Sequence, residues 1–181
     1  EVALNNFKKE GINTDFIFRD KEHGTGTALI MVDENTGENM ILVSLEACSY
    51  ITKEEILSAE EEIKNSDYVL TQLETNLDAV INFVELANKH NVKVVLNPAP
   101  YQPIPDKLLS MVDIITPNET EASALSGVKV TDLQSAEEAA RKLMERGAKH
   151  VVITLGVNGS LIVTDKLVKH AKSRKVKVVD I

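Results

Sequence analysis

Between Thr52 and Leu155 the chain alternates short apolar runs with capped, amphipathic stretches, and this rhythm restricts the available folds more than any other feature of the sequence. Thr52 with Glu55 forms a capping-box pattern for a helix to about Asn65, and Tyr68-Val69-Leu70 follows as a strand. Leu77, Val80, Ile81, Val84 and Ala87 share one face of a helix predicted from about Asn76 to His90, ahead of a strand over Val92 to Leu96. Asn97-Pro98-Ala99-Pro100 ends that strand, Pro103 and Pro105 keep the connection irregular, and a short helix is expected at Lys107 to Ser110. A strand over Val112 to Thr116 leads into a helix opened by Asn118 and closed at Gly127. Ser135 with Glu138 opens another helix to Gly147, and His150 to Leu155 reads as a further strand. Strands joined through helices specify an α/β fold, a Rossmann-type, mainly parallel sheet flanked by helices, with ligands bound beyond the carboxyl ends of the strands.

The first part of the chain has a different texture. Phe16-Ile17-Phe18, Thr27 to Val32 and Asn39 to Val43 read as three neighbouring strands without a helix between them, a small sheet, with a hairpin connection at Asp33 to Glu38. Glu1 to Gly11 reads as the last turns of an amphipathic helix ending at a glycine cap. Val176 to Ile181 is a strand pattern with no closing turn, so the chain is expected to be an internal segment of a longer protein.

With 43% hydrophobic and 27% charged residues in 181, the chain can bury a core of ordinary size. A net charge of -8 and a pI near 5.1 argue against nucleic-acid or anionic-membrane partners, which need a positive field. The apolar runs are too short to span a bilayer. Cys48 has no second cysteine to pair with, which fits a reducing, cytoplasmic setting.

The polar residues worth weighing fall at the expected carboxyl edge: Glu74, Asn97, Asn118 with Glu121, and Thr154 to Gly159. Asn118 and Glu121 open a helix whose unpaired N–H groups and dipole suit a phosphate and a hydrated metal. The same pair is also an ordinary N-cap and N3 arrangement that needs no ligand. Glu74 alone is a solvated residue ahead of a helix, Asn97 a common strand exit, and Asn158-Gly159 a tight hairpin turn. Gly24-Thr25-Gly26-Thr27 lacks the Lys-Ser/Thr of a P-loop and leads into a strand rather than a helix. His23, His90, His150 and His170 lack metal-ligand spacing, and the acidic run Glu60-Glu61-Glu62 is a wet helix face.

Taken together and in order, Gly24 to Ile30, Gln72-Leu73-Glu74, Asn97 to Pro100, Asp113 to Ala122 and Ile153 to Gly156 resemble the ribokinase, or PfkB, family of carbohydrate kinases. The resemblance covers nearly the whole chain. It implies an ATP-dependent kinase acting on the 5-hydroxyl of ribose, with residues 1–11 ending a core helix, 12–45 forming a β-sheet lid and dimer contact, and 46–181 an α/β nucleotide-binding core. By matching positions, it implies Glu74 as a sugar-hydroxyl ligand and Asn118 as a contact to the nucleotide phosphates. Glu121 would place Mg2+ through water, Thr154, Gly156 and Gly159 would belong to the nucleotide site, and Asp180 would help bind a monovalent cation such as K+. Positioning and charge neutralisation dominate phosphoryl transfer, which is the chemistry such groups serve.

The departures from the family pattern carry expectations of their own. The Gly-Ala-Gly-Asp segment, whose Asp is the family's base, does not occur in this sequence, and the amino-terminal sugar-binding portion of the family, with its Asn-x-Asp and Gly-Gly-Lys-Gly-Ala-Asn type motifs, has no counterpart in the matched pattern. Loss of a general base costs about 10² to 10⁴ in rate, so these residues alone are expected to be inert. Leu45-Glu46-Ala47-Cys48 stands where Gly-Ala-Asn is usual, which leaves open a kinase for fructose, a sugar phosphate or a nucleoside. A non-catalytic nucleotide-binding or dimerisation remnant is the reading from a different class.

Overall fold

In the computed structural model, which describes residues 2–37 and 39–174, the chain forms two separate sheets. After helix α1 (Val2–Lys9), strands β1 (Thr27–Val32) and β2 (Asn39–Ser44) pair antiparallel, with Ile30 opposite Ile41 and Leu29 opposite Leu42. Asp33 shapes the turn between them by accepting the N–H groups of Asn35 and Thr36 on one carboxylate oxygen and that of Gly37 on its carbonyl. Period-two alternation normally buries one face, but here both faces are apolar and exposed, from Leu29 at 66% to Val43 at 49%. Phe16-Ile17-Phe18 carries no strand, contrary to its β-rich composition. A strand needs a neighbour for its N–H and C=O groups, and the only ladder in this part of the described chain is between β1 and β2.

The second sheet has six strands in sequence order: β3 (Tyr68–Thr71), β4 (Lys93–Leu96), β5 (Ile114–Ile115), β6 (His150–Thr154), β7 (Ser160–Val163) and β8 (Val168–Ala171). Strands β3 to β6 pair parallel, and β7 and β8 continue the sheet through antiparallel pairings. Helix α4 (Leu77–Lys89) joins β3 to β4, α5 (Asp106–Ser110) lies between β4 and β5, and α6 (Glu119–Ser126) and α7 (Leu133–Glu145) join β5 to β6. The core forms between this sheet and its helices. Val94, Leu96, Ile115, Val151 and Ile153 of the central strands are fully buried with Val84 and Ala87 of α4 and Ala136, Ala139, Ala140 and Leu143 of α7. Three alanines on one stripe let α7 lie close to the sheet, with Leu143 filling the space beyond them.

Local chemistry departs from the sequence pattern in two caps. The helix expected from Thr52 to Asn65 breaks at Ala59 into α2 (Lys53–Ser58) and α3 (Glu60–Lys64), although the Thr52 and Glu55 box is present. The N-cap of α7 is Asp132, whose carboxylate accepts the Ser135 N–H at 2.8 Å, so Ser135 sits inside the helix at N3 rather than ahead of it. Asp132, immediately before the first helical residue Leu133, is the stronger acceptor, and it wins.

At the amino ends of the strands Asp113 ties three elements together. Its carboxylate accepts the Val94 N–H at 2.9 Å and the Lys149 ammonium at 2.8 Å, while its carbonyl accepts the His150 N–H. Burial pushes this carboxyl up, but the ammonium and the amide outweigh it and hold it below the usual carboxylate range. A depressed folded-state pKa gives stability that is complete above the unfolded pKa of about 3.9 and is lost as pH falls through the folded value. Asp113→Asn is therefore expected to flatten the loss of stability below about pH 4, read as denaturation midpoints at several pH values. The glycines offer a second check. Gly127 closes α6 at φ 76 in open space, whereas a Cβ on Gly159, at φ 90, would lie 2.0 Å from the Ala171 carbonyl oxygen. Gly127→Ala should cost about 1 kcal/mol, and Gly159→Ala clearly more, by thermal unfolding.

Candidate functional site

Parallel pairing brings the ends of distant segments to one edge, and backbone bonds lock them in line. Asn97 donates its N–H to the Thr71 carbonyl, Thr116 to Leu96, and Thr154 to Pro117, each at 2.9 Å. Leu73 donates to the Ala99 carbonyl, and Gln102 reaches the Leu73 carbonyl with its side-chain amide at 3.2 Å. The exits of β3, β4, β5 and β6 thus form a continuous ledge. Glu74 stands at one end, Asn97 follows, then Asn118 and Glu121 after β5, about 10 Å from Glu74 for two strand spacings, and Thr154 on β6, about 14 Å for three.

Asn118 and Thr154 are direct neighbours, since an isolated parallel bridge joins Asn118, beyond the end of β5, to Thr154, the last residue of β6. Asn118 is the N-cap of α6: its side-chain oxygen accepts the Glu121 N–H, and Glu121 returns a carboxylate oxygen to the Asn118 N–H, both at 2.8 Å. The ordinary capping role is therefore fulfilled. Glu121 is nevertheless 93% buried by this, at 7% exposure, the buried charged residue of the described core. Asn118, Thr154 and Gly156 are exposed. A half-satisfied helix start with an acidic group in its first turn and open amide donors nearby is a place where an anion and a cation can be held side by side.

Beyond β6 the chain makes a 3-10 turn over Gly156–Asn158 and returns as β7, with Leu155 donating to the Gly159 carbonyl at 2.8 Å. This is the hairpin expected at Asn158-Gly159, with a five-residue loop in place of a tight two-residue turn, since Thr154 pairs with Ser160. Gly156 adopts φ 51, the left-handed region, with open space where a side chain would be. Gly159 is held instead by its approach to the backbone of residues 171–173. Asp180 lies outside the described residues, as does the strand pattern over Val176 to Ile181.

The β1–β2 hairpin joins the body through two close stalks. Ala47 donates to the Gly24 carbonyl at 3.0 Å, and a Cβ on Gly26 would meet the Leu45 carbonyl oxygen at 3.0 Å and the Cys48 sulfur at 3.4 Å. Glu46 takes φ 46 and accepts the Ser44 hydroxyl at 3.0 Å. Such a conformation costs a residue with a Cβ about 1–2 kcal/mol. The His23 ring lies on Tyr50 at 3.6 Å and 11°, and its Nδ1 is 3.0 Å from Asp20. That bond and the Glu22 and His23 amides hold the Asp20 carboxyl down at about 2. A cavity of about 760 Å³ opens between α1, residues 16–26, the 3-10 turn Glu46–Tyr50 and helices α2 to α4, and none of Glu74, Asn118, Glu121 or Thr154 lines it. Sequence reading did not reach Asn76 as part of this region. Its side-chain amide donates to the Ile51 carbonyl at 3.0 Å across 25 residues, a link with no local signature.

Among known proteins, the model of the pfkB family of carbohydrate kinases matches residues 1–181. A ribokinase of Staphylococcus aureus (strain COL) is 42% identical over 180 residues, 99% of this chain and 59% of that protein. The structure of ribokinase from Giardia lamblia superposes with a TM-score of 0.89 at 29% identity, covering 99% of this chain and 58% of that one. That of Arabidopsis thaliana ribokinase complexed with ribose and ATP gives a TM-score of 0.79 at 27% identity, covering 90% and 53%. The chain thus spans just under three fifths of the length of the relatives it matches.

Proposed function

The chain belongs to the pfkB family of carbohydrate kinases, and on that premise we propose that it is the nucleotide-holding core and lid of an ATP-dependent sugar kinase of ribokinase type. The observation that carries the reading is the bridge between Asn118 and Thr154, which sets the start of α6 against the loop over Thr154 to Gly159. In this reading Asn118 and the first amides of α6 bind the phosphates, and Thr154 and Gly156 border the nucleotide. Glu74, at the far end of the ledge, binds a sugar hydroxyl. The span of about 14 Å between the two ends suits a sugar and a triphosphate laid end to end along the strand termini. The ribose and ATP of the Arabidopsis complex favour the same pair of ligands here.

Mg2+ fits the donor set at Glu121, a carboxylate in the first turn of a helix beside a phosphate site, and when bound it would neutralise charge on the transferring group. Glu121 would hold it through water, and its other task, closing the Asn118 cap, keeps the carboxylate in one rotamer. K+ is assigned to Asp180 by sequence match alone. The family's Gly-Ala-Gly-Asp pattern does not occur in these 181 residues, and the role assigned to them is binding of nucleotide and sugar.

The capping and ligand roles of Asn118 separate cleanly. Serine is as good an N-cap as asparagine, so Asn118→Ser should leave the unfolding temperature almost unchanged. A hydrogen bond to a charged group is worth about 1.5–3 kcal/mol, so the same variant should bind Mg·ATP about tenfold or more weakly by calorimetry. Equal affinity in both proteins removes Asn118 from the phosphate site.

The β1–β2 hairpin is assigned as a lid that covers the sugar end and pairs with a second copy. Its two apolar faces support this: a hairpin with Ile30 and Ile41 on one side and Leu29, Leu42, Met31 and Met40 on the other has more apolar surface than a single cleft contact covers. Ile30→Lys together with Ile41→Lys should convert a dimer to a monomer in sedimentation equilibrium; a wild-type chain that is monomeric at high concentration removes the assignment.

A further inference from the structure

The base of the hairpin and the Glu74 loop are joined by a short chain of contacts that neither the capping pattern nor the ledge requires. His23 ends the first stalk, and its ring lies flat on Tyr50, the last residue of the 3-10 turn that ends the second. The next residue, Ile51, presents its carbonyl to the side-chain amide of Asn76 at 3.0 Å. Asn76 is two residues beyond Glu74 and occupies the N-cap position of α4. It does not cap that helix: its side chain accepts no N–H from the first turn, and its buried Oδ1 is without a partner. An asparagine at an N-cap normally contributes about 1 kcal/mol through its oxygen. A buried oxygen left unpaired costs a similar amount or more. The Asn76 side chain has therefore given up its local role and is committed to a distant carbonyl, and the carbonyl it holds belongs to the residue after Tyr50.

We propose that Asn76 is a positioning residue that couples the lid to the Glu74 loop: the His23–Tyr50 stack fixes the base of the hairpin, and Asn76 transmits that position to Glu74 through Ile51. The coupling rests on the kinase reading for the hairpin as a lid and for Glu74 as the sugar's ligand; the chain of contacts from His23 to Asn76 is independent of it. Two consequences follow from the geometry. A lid that swings must carry the Tyr50 ring, and with it the Ile51 carbonyl, because the stalks are held together by Ala47 on Gly24 and by the close approach at Gly26. If the Ile51 carbonyl withdraws, Asn76 is released to turn its oxygen onto the free amides of α4, which stabilises the helix and re-aims the loop two residues before it. The loop then has two discrete arrangements, which is what a transmitted effect needs.

Amide hydrogen exchange read by NMR on the full chain, without ligand, tests this. The reporters are Leu73, bonded to the Ala99 carbonyl, and Ala79 and Val80, bonded to the Asn76 carbonyl. His23→Ala removes the stack, and Asn76→Asp removes the donor while keeping an oxygen able to cap α4. His23→Ala is expected to speed exchange at Leu73 about threefold or more, a coupling of ordinary size for a contiguous network. In the Asn76→Asp background the same change at His23 should alter Leu73 less than about 1.5-fold, because the link is already cut. A residue that only supports its own loop would give the opposite result, two effects that multiply. Unchanged Leu73 exchange in His23→Ala, or a full His23 effect persisting in Asn76→Asp, overturns the proposal. Both positions lie outside the buried core, and unaltered exchange at Val94 and Ile115 verifies that each variant is folded. Since no sugar is present, a chain that shows the coupling but fails to bind ribose keeps the link and loses only the assignment of Glu74.

Discussion

Parallel strand pairing from β3 to β6 is the constraint on which the rest of the molecule depends. A parallel neighbour can be reached only by a crossover, so every return of the chain passes through a helix and every strand exits in the same direction. The bonds from Asn97 to Thr71 and Thr116 to Leu96 extend the ladder one residue past β4 and β5, and that from Thr154, the last residue of β6, to Pro117 carries it on beside them. Polar groups there cost nothing in burial. The edge opposite is used for strength instead, with Asp113 holding β4, β5 and β6 through amide, ammonium and carbonyl.

How much of this the sequence discloses depends on how local the cause is. Asn118 and Glu121, three residues apart, announce their mutual cap, and Gly127 announces the left-handed close of α6, because the competing forces act within one turn. The strands over 68–71, 93–96 and 150–154 are legible from apolar runs of the right length between helical periods. The Phe16-Ile17-Phe18 stretch misleads because β-propensity reports a side chain's fit to a pleated surface, and a strand exists only where another strand is beside it. The break at Ala59 is equally invisible, since Glu60 turns out to bind both Lys89 and His90 at the far end of α4, a tertiary demand that the run of three glutamates reads simply as solvation.

The site divides along the same line. That Glu74, Asn97, Asn118 and Thr154 share an edge follows from alternation alone, and the structure places them on it. What they hold does not follow from their geometry, because a completed capping box looks the same with or without a phosphate nearby. Five motifs in family order are what the proposed roles rest on, and the family match across residues 1–181 shows the family. Gly159 illustrates why a motif position is not a role: its hydrogen at Cα faces the Ala171 carbonyl so closely that the backbone alone demands glycine there.

The hairpin and its stalks present the reverse case, a region where physical strain marks what the motif leaves out. Glu46 in a left-handed conformation, Asn76 with an unpaired buried oxygen and two apolar faces on one pair of strands are each unfavourable taken alone. They are neighbours in space, at the two stalks and at the loop these stalks reach. A rigid domain has no use for several such costs in one place, whereas an element that alternates between two positions has each of them satisfied in one position and exposed in the other. The core, by contrast, places Val94, Leu96, Ile115 and Val151 without exposure and pairs Asp113 on both oxygens. The proposed coupling confines motion to the hairpin and the Glu74 loop, while the start of α6 and the Thr154 loop are bonded to the sheet. An enzyme that must close over a small substrate and still present a nucleotide in one orientation needs that division.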